Sequence, residues 1–203
     1  MTYSVWKTVR QTIHEMMRDR QYQVVHDGGE DDMSLVFRST ADAIYVHLIA
    51  EPKIGIAYIK DLVSLHDGTR THHLLVSAEG ITPKARKACK HYLSHGLIVE
   101  PFVIAELMFN VVRHTYCPRH RVCSDEEKKN ILHKLGISET DAEDKLPGIQ
   151  AQDPIVKYYR APKGSLIEIV RSASRCPVFL KLPIASSLVK LYEFLVLCPH
   201  GCG

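Results

Sequence analysis

From residue 44 to residue 112 the apolar residues switch repeatedly between strand and helix spacing, and this alternation limits the fold more than any other feature. Ile44-Tyr-Val-His-Leu-Ile-Ala50 is rich in β-branched and aromatic residues, as strands are. Ile56, Ile59, Leu62 and Val63 follow at helical spacing, ending near Gly68. His73-Leu-Leu-Val-Ser77 reads as a short buried strand. Thr82-Pro83 then opens a helix, because a threonine hydroxyl caps free N–H groups and proline suits the first helical position. Ala85, Ala88, Cys89, Tyr92 and Leu93 supply its buried face. Leu97-Ile-Val-Glu-Pro101 is a further strand, and Val103 to Val112 a short helix leading into a strand. Strands that alternate with helices predict an α/β unit with a largely parallel sheet flanked by helices. Ahead of it, Trp6, Val9, Ile13, Met16 and Met17 share one helical face, with Lys7, Arg10, His14 and Arg18 opposite. Residues 3–20 therefore form an amphipathic helix. Gln21 to Ser34, with its Gly-Gly-Glu-Asp-Asp, reads as a loop.

The texture changes after His114. Ser124 and Glu127 form a capping box, each side chain satisfying the other's backbone N–H, and the helix should stop at Gly136. Asp153-Pro154 opens a second, short helix by the same cap logic. Lys163-Gly164 is a turn, Leu166–Val170 a strand, and Val178–Leu182 its expected hairpin partner. Ser187 to Leu197, with Leu188, Leu191, Tyr192 and Leu195 at helical spacing, reads as a helix. This predicts two domains: an α/β domain over 1–113 and a small α+β domain over 114–203, its tail an extension.

Composition excludes several classes. The 203 residues carry 45% apolar and 24% charged side chains, as ordinary globular proteins do. No apolar run is long enough to cross a bilayer, so no membrane partner is expected. The start does not read as a signal peptide, and the six cysteines are expected as reduced thiols. A formal net charge of +3 permits a nucleic-acid partner without requiring one.

Three constellations carry chemistry. The helix opened by Thr82 and Pro83 holds Lys84, Arg86, Lys87 and Lys90, with two or three of these cations in its first turns, where the helix dipole disfavours them. A solvated basic face is the plain reading, and a nearby phosphate backbone is the functional one. Cys117, His120 and Cys123, with Cys198, His200 and Cys202, offer zinc-type ligands at unusual spacings. A satisfied histidine in a packed turn is the preferred reading, with no metal and no cofactor expected, although spacing alone leaves both cysteine–histidine sets open. Glu51-Pro52-Lys53 with Asp42 invites a nuclease reading, but proline resists a central strand and no further carboxylate completes a two-metal site. No Asp-x-Asp-x-Asp pattern exists to hold a pair of catalytic magnesium ions.

Two stretches carry a family resemblance: His114-Thr-Tyr-Cys-Pro118-Arg-His120-Arg-Val-Cys-Ser124-Asp-Glu-Glu127, and Leu146-Pro147-Gly-Ile149-Gln-Ala-Gln-Asp153-Pro154-Ile-Val-Lys-Tyr158-Tyr159. They resemble the assembly domain of the fifth subunit shared by nuclear DNA-dependent RNA polymerases, a domain with a counterpart among the small subunits of archaeal polymerases. Met16–Tyr22, Glu51–Lys60, Leu74–Arg86 and Pro101–His114 are similar, in the same order, to segments of that family's N-terminal jaw. The resemblance implies a nuclease-like jaw domain and a non-catalytic subunit of a multisubunit polymerase. It also implies sequence-independent contact with downstream double-stranded DNA at Thr82, Pro83, Lys84, Arg86 and Lys87. Docking on the largest subunit would run through Pro118, His120, Leu146, Pro147, Ile149, Asp153, Pro154 and Tyr158. The alternative is a free-standing nuclease-like nucleic-acid-binding protein.

The sequence departs from the family at Gln21 and Arg160, where glycine is usual, in a shorter loop after the first helix, in the last strand, where Arg175-Cys-Pro-Val-Phe-Leu-Lys replaces the usual glycine and Tyr-Arg ending, and in the tail after Ile184. Such drift resembles a copy encoded by a large cytoplasmic DNA virus, expected in the viral factory and virion. A cellular subunit would be nuclear.

Overall fold

The computed structural model describes residues 3–28, 32–40, 42–64, 71–172 and 191–197. The chain divides into two compact units, Met1–Asn110 and Val111–Gly203.

The first unit opens with α1 (Tyr3–Asp19), which continues into β1 (Gln23–Asp27), β2 (Ser34–Arg38) and β3 (Ala43–Leu48). It then alternates through α2 (Ile56–Ser64), β4 (Thr71–Ser77), α3 (Pro83–Leu93), β5 (Leu97–Val103) and the single turn α4 (Ile104–Leu107). The five strands form one sheet in sequence order. β3, β4 and β5 run parallel, as the helical crossovers require. β1, β2 and β3 are antiparallel, so the sheet is mixed rather than largely parallel. The cause lies first in β2, to which no strand was assigned above and which pairs antiparallel with β3, and then, within the segment Gln21 to Ser34 read above as a loop, in β1. Its residues are all exposed, so Gln-Val-Val-His-Asp shows no alternation that a sequence can reveal.

β3 decides how the sheet is covered. Ile44, Val46 and Leu48 are buried on the face that carries Phe37, while Tyr45 and His47 point the other way. The apolar stripe Val9, Ile13, Met16 and Met17 of α1 is fully buried, and the His14 ring meets Phe37 edge-on at 5.2 Å, which places α1 on the Phe37 face. On the opposite face Ile59 and Leu62 of α2 and Ala85 of α3 close a core over Leu75, with Cys89, Tyr92 and Val99 packed at its margin. Leu93, expected in this core, is instead 57% exposed at the frayed end of α3.

The second unit begins with a 3-10 turn, Val111–Arg113, where a strand was expected. It continues with β6 (Arg119–Val122), α5 (Asp125–Leu135), α6 (Ala142–Lys145), α7 (Pro154–Tyr159), β7 (Leu166–Ser172) and β8 (Leu191–Leu197). The sheet order is β6-β7-β8, antiparallel throughout. Leu191–Leu197 is thus a strand where helical spacing predicted a helix. A short, nearly continuous apolar run satisfies both periods, and here its aromatic and β-branched content decides. The expected strand Val178–Leu182 lies outside the described residues.

Two of the departures from the family's glycine pattern fall at helix ends, and the one in the last strand lies outside the described residues. Gln21 and Arg160 have φ of 65° and 50°, the left-handed region that favours glycine. Arg160 caps α7 there, its N–H bonded to the carbonyls of Val156 and Lys157.

Candidate nucleic-acid interface

β3 and β4 run parallel, so their carboxyl ends, and the starts of α2 and α3 that follow them, open at one end of the sheet. The two junctions are joined directly. Ile54 N donates to Gly80 O at 2.9 Å, Thr82 N to Ile54 O at 3.0 Å, and Glu79 N to Pro52 O at 2.7 Å. The turn after β4 is tightened by Ser77, fully buried, whose hydroxyl donates to Gly80 O at 3.1 Å and accepts from Gly80 N at 3.0 Å. Gly80 has φ of 78°, the left-handed region that favours glycine, and a Cβ there would also come within 3.3 Å of Val103 Cγ1.

This frame holds the start of α3 rigidly. Thr82 Oγ1 accepts from Ala85 N at 3.3 Å, and Pro83 occupies the first helical position. Ala85 faces inward and is fully buried, while Lys84, Arg86, Lys87 and Lys90 are exposed. No carboxylate lies in the first turn, and none of the described residues pairs with these four cations. Lys53 stands on the adjoining junction and is bound to Glu79 at 2.8 Å, which raises the lysine's pKa. Helix starts carry partial positive charge and free N–H groups, and the carboxyl ends of parallel strands are where open α/β sheets take ligands. The arrangement can hold a phosphate backbone without reading bases.

The structure separates the nuclease candidates. Asp42 precedes β3 and accepts from the Tyr22 hydroxyl, whereas Glu51 and Lys53 follow the strand's other end. A strand of six residues keeps them roughly 20 Å apart. Among the zinc candidates, Cys117 Sγ stands 3.9 Å from His120 Nδ1, which itself contacts Pro118 O at 2.7 Å. Cys123 is buried in a separate apolar cluster with Leu132, Ala142 and Leu166. Burial raises the pKa of both thiols, which disfavours the thiolate that zinc needs. Cys198, His200 and Cys202 lie outside the described residues.

The eight docking residues share the second unit but differ in access. Pro147 and Pro154 are exposed, and Pro118, His120 and Asp153 are half-buried. Asp153 caps α7 through Ile155 N at 2.8 Å. Leu146 and Ile149 pack against their unit's own clusters, and Tyr158 is 3% exposed.

Two groups had no sequence signal. In the first unit Arg20 Nη2 lies 3.0 Å from Glu100 Oε2, and His72 Nε2 lies 2.7 Å from Glu100 Oε1, all three side chains being largely buried. The His72 contact is close but departs from hydrogen-bond angles. The other group is a row of rings, Tyr45, His73 and His47, on the sheet face that α2 covers only in part.

The chain thus joins an α/β unit, with two helix starts side by side and exposed cations on α3, to a small α+β unit. Residues 109–177 match the family model described as RNA polymerase Rpb5, C-terminal domain. A Dictyostelium discoideum protein named as subunit rpabc1 of DNA-directed RNA polymerases I, II and III is 30% identical over 177 residues, which are 80% of this chain and 88% of the relative. An Arabidopsis thaliana DNA-directed RNA polymerase subunit 5-like protein is 30% identical over 192 residues, 81% of this chain and 87% of the relative. The Caenorhabditis elegans subunit RPABC1 is 26% identical over 195 residues, covering 84% and 90%. The chain belongs to the family of the fifth subunit of DNA-directed RNA polymerases, which is non-catalytic.

Proposed function

We propose that this protein is a structural subunit of a multisubunit DNA-directed RNA polymerase, gripping downstream duplex DNA through the start of α3 and docking on the largest subunit through its second unit. The observation that carries the DNA reading is the set of cations Lys84, Arg86 and Lys87, which are exposed, unmatched by any described carboxylate, and placed where the helix dipole opposes them. A phosphate backbone at the same helix start reverses that penalty, since it is attracted by cations and N–H groups alike.

The docking reading rests on the family's assembly domain and on the accessible Pro118, His120, Pro147, Asp153 and Pro154. Leu146, Ile149 and Tyr158 would act from beneath, holding that surface in shape. The departures at Gln21 and Arg160 and in the tail support a virally encoded copy working in the cytoplasmic factory. Finding the chain in purified virions together with viral polymerase subunits would test that origin.

The decisive experiment assembles the polymerase with wild-type chain or with the Lys84→Gln/Arg86→Gln/Lys87→Gln variant. Both should co-purify with the largest subunit. The variant's complex should hold downstream duplex with a shallower salt dependence, by about 0.9 in log–log slope for each phosphate no longer neutralised. An unchanged slope would refute the DNA contact, and failure of the wild-type chain to co-purify would refute the assembly role.

A further inference from the structure

Among the described residues, α2 and α3 cover the sheet face over β4 and β5, Tyr58 of α2 reaches His47 of β3, and no helix packs on the same face of β2. Three rings stand in a row there. Tyr45 of β3 stacks with His73 of β4 at 5.4 Å and 26°, and His73 with His47 at 5.3 Å and 30°. His47 Nε2 and His73 Nδ1 are also hydrogen-bonded at 3.0 Å, and Tyr58 of α2 closes the inner end edge-on against His47. Burial lowers the His47 pKa, so this ring is neutral at pH 7 and the row does not repel itself. The outer end is different. Tyr45 is 38% exposed, and its outward ring face meets no other ring among the described residues.

Arg38 of β2 is exposed and pairs in register with Ala43, two residues before Tyr45 on the same side of β3. Such diagonal neighbours lie about 7–8 Å apart, within reach of an arginine side chain. The residues that β2, β3 and β4 turn to this face include no carboxylate. The nearest acid, Asp42, adjoins Ala43 at the Arg38 end and accepts from the Tyr22 hydroxyl, while Asp32 and Glu51 sit at the opposite end, beside Ser34 and beyond Leu48. Val36 is the only aliphatic side chain larger than alanine that β2 and β3 place here, which makes a poor seat for an apolar protein segment.

We propose that this open half-sheet is a second nucleic-acid site, distinct from the start of α3 and specific for single strands, in which a base extends the ring row on Tyr45 while its phosphate meets Arg38. Ring faces take bases of any identity, but only bases that are not already stacked in a duplex. In a machine that opens DNA, one protein would then hold paired and unpaired nucleic acid on different surfaces.

Fluorescence polarisation of the full chain with a labelled short oligothymidine, and separately with a blunt duplex, tests this. Tyr45→Ala should weaken oligothymidine binding about tenfold and leave duplex binding unchanged, while Tyr45→Phe keeps both. Arg38→Gln should make the single-strand salt dependence shallower by about 0.7 in log–log slope. Equal single-strand affinity for wild type and Tyr45→Ala would overturn the proposal. So would loss of single-strand binding only in the Lys84/Arg86/Lys87 variant, or competition by thymidine monophosphate as effective as by the oligomer. Should Tyr45→Ala lose duplex binding too, through misfolding, Arg38→Gln and Tyr45→Phe decide the outcome.

Discussion

The two units use charge in opposite ways. The first buries an ion cluster, Arg20 with Glu100 and His72, and leaves the cations at the start of α3 facing water. The second exposes its cluster and places it at the start of a helix. Arg121 binds Glu127 at 2.5 Å and Glu168 at 2.8 Å, and Glu127 closes the capping box of α5 by accepting from Ser124 N at 2.8 Å. α5 opens on Asp125, Glu126 and Glu127, the signs its dipole favours, whereas α3 opens on none. α5 is thus complete within its own unit. α3 has the same kind of hydroxyl cap but opens on charges that its dipole disfavours.

The largest test of this contrast removes the hub of each cluster. Glu100→Gln leaves Arg20 charged in a largely buried place, and breaking such a pair costs about 3–5 kcal/mol. Trp6, the only tryptophan, lies in α1 and reports this unit's unfolding in urea. Glu168→Gln, in the half-exposed cluster, should cost less than about 1 kcal/mol. Equal losses would mean that burial does not distinguish the two clusters.

Removing each cap comes next. Thr82→Ala and Ser124→Ala should each cost about 1 kcal/mol, because each frees one N–H. Only the first should also weaken duplex binding. The second unit should respond to acid as well. Hydrogen bonds, first from Arg121 and then from Ser124 N, hold the Glu127 pKa below its ordinary 4.5. A depressed folded pKa stabilises above the unfolded value, and that contribution disappears as pH falls through the folded one. The urea midpoint of the α5 signal should therefore drop below about pH 4.5, and Glu127→Gln should flatten that limb.

Helix starts were legible in the sequence because capping is local. Thr82-Pro83, Ser124 with Glu127, and Asp153-Pro154 each state their own geometry within four residues, and all three stand where expected. Strand pairing is not local. β1 gave no signal because an exposed strand needs no apolar alternation, and β6 because its four residues set exposed arginines against a half-buried histidine and a single valine, too short a pattern to read. β8 misled because its apolar run fits either period. In the site, the basic face of α3 could be read directly, but the clasp between Ile54 and Ile81 could not, since it joins segments that only the parallel sheet brings together. Arg20 and Glu100 are eighty residues apart in sequence, and neither predicts the other. The departures at Gln21 and Arg160 were visible as missing glycines, and the structure supplies their physical meaning, a left-handed backbone at both positions.

That meaning gives a smaller test, one in each unit. Gln21→Gly and Arg160→Gly should each stabilise by about 0.5–1 kcal/mol, since relief of the left-handed strain exceeds glycine's added chain entropy. Trp6 fluorescence reads the first and backbone circular dichroism the second. A loss at either site would mean that its side chain makes contacts worth more than the strain.

The smallest expected effect bears most directly on function. If Lys84, Arg86 and Lys87 are placed for DNA and against the dipole, the Lys84→Gln/Arg86→Gln/Lys87→Gln variant should be slightly more stable than the wild type, by a few tenths of a kcal/mol for each cation in the first turn. The same change should weaken duplex binding in proportion to the number of phosphates those cations neutralise. Stability and binding moving in opposite directions is the signature of charge kept for a partner. The equivalent change at α5, Asp125→Asn with Glu126→Gln, should reduce stability and leave binding alone. Were the α3 variant to lose stability as well, its cations would be serving their own unit, and the contrast between the two helix starts would no longer point to DNA.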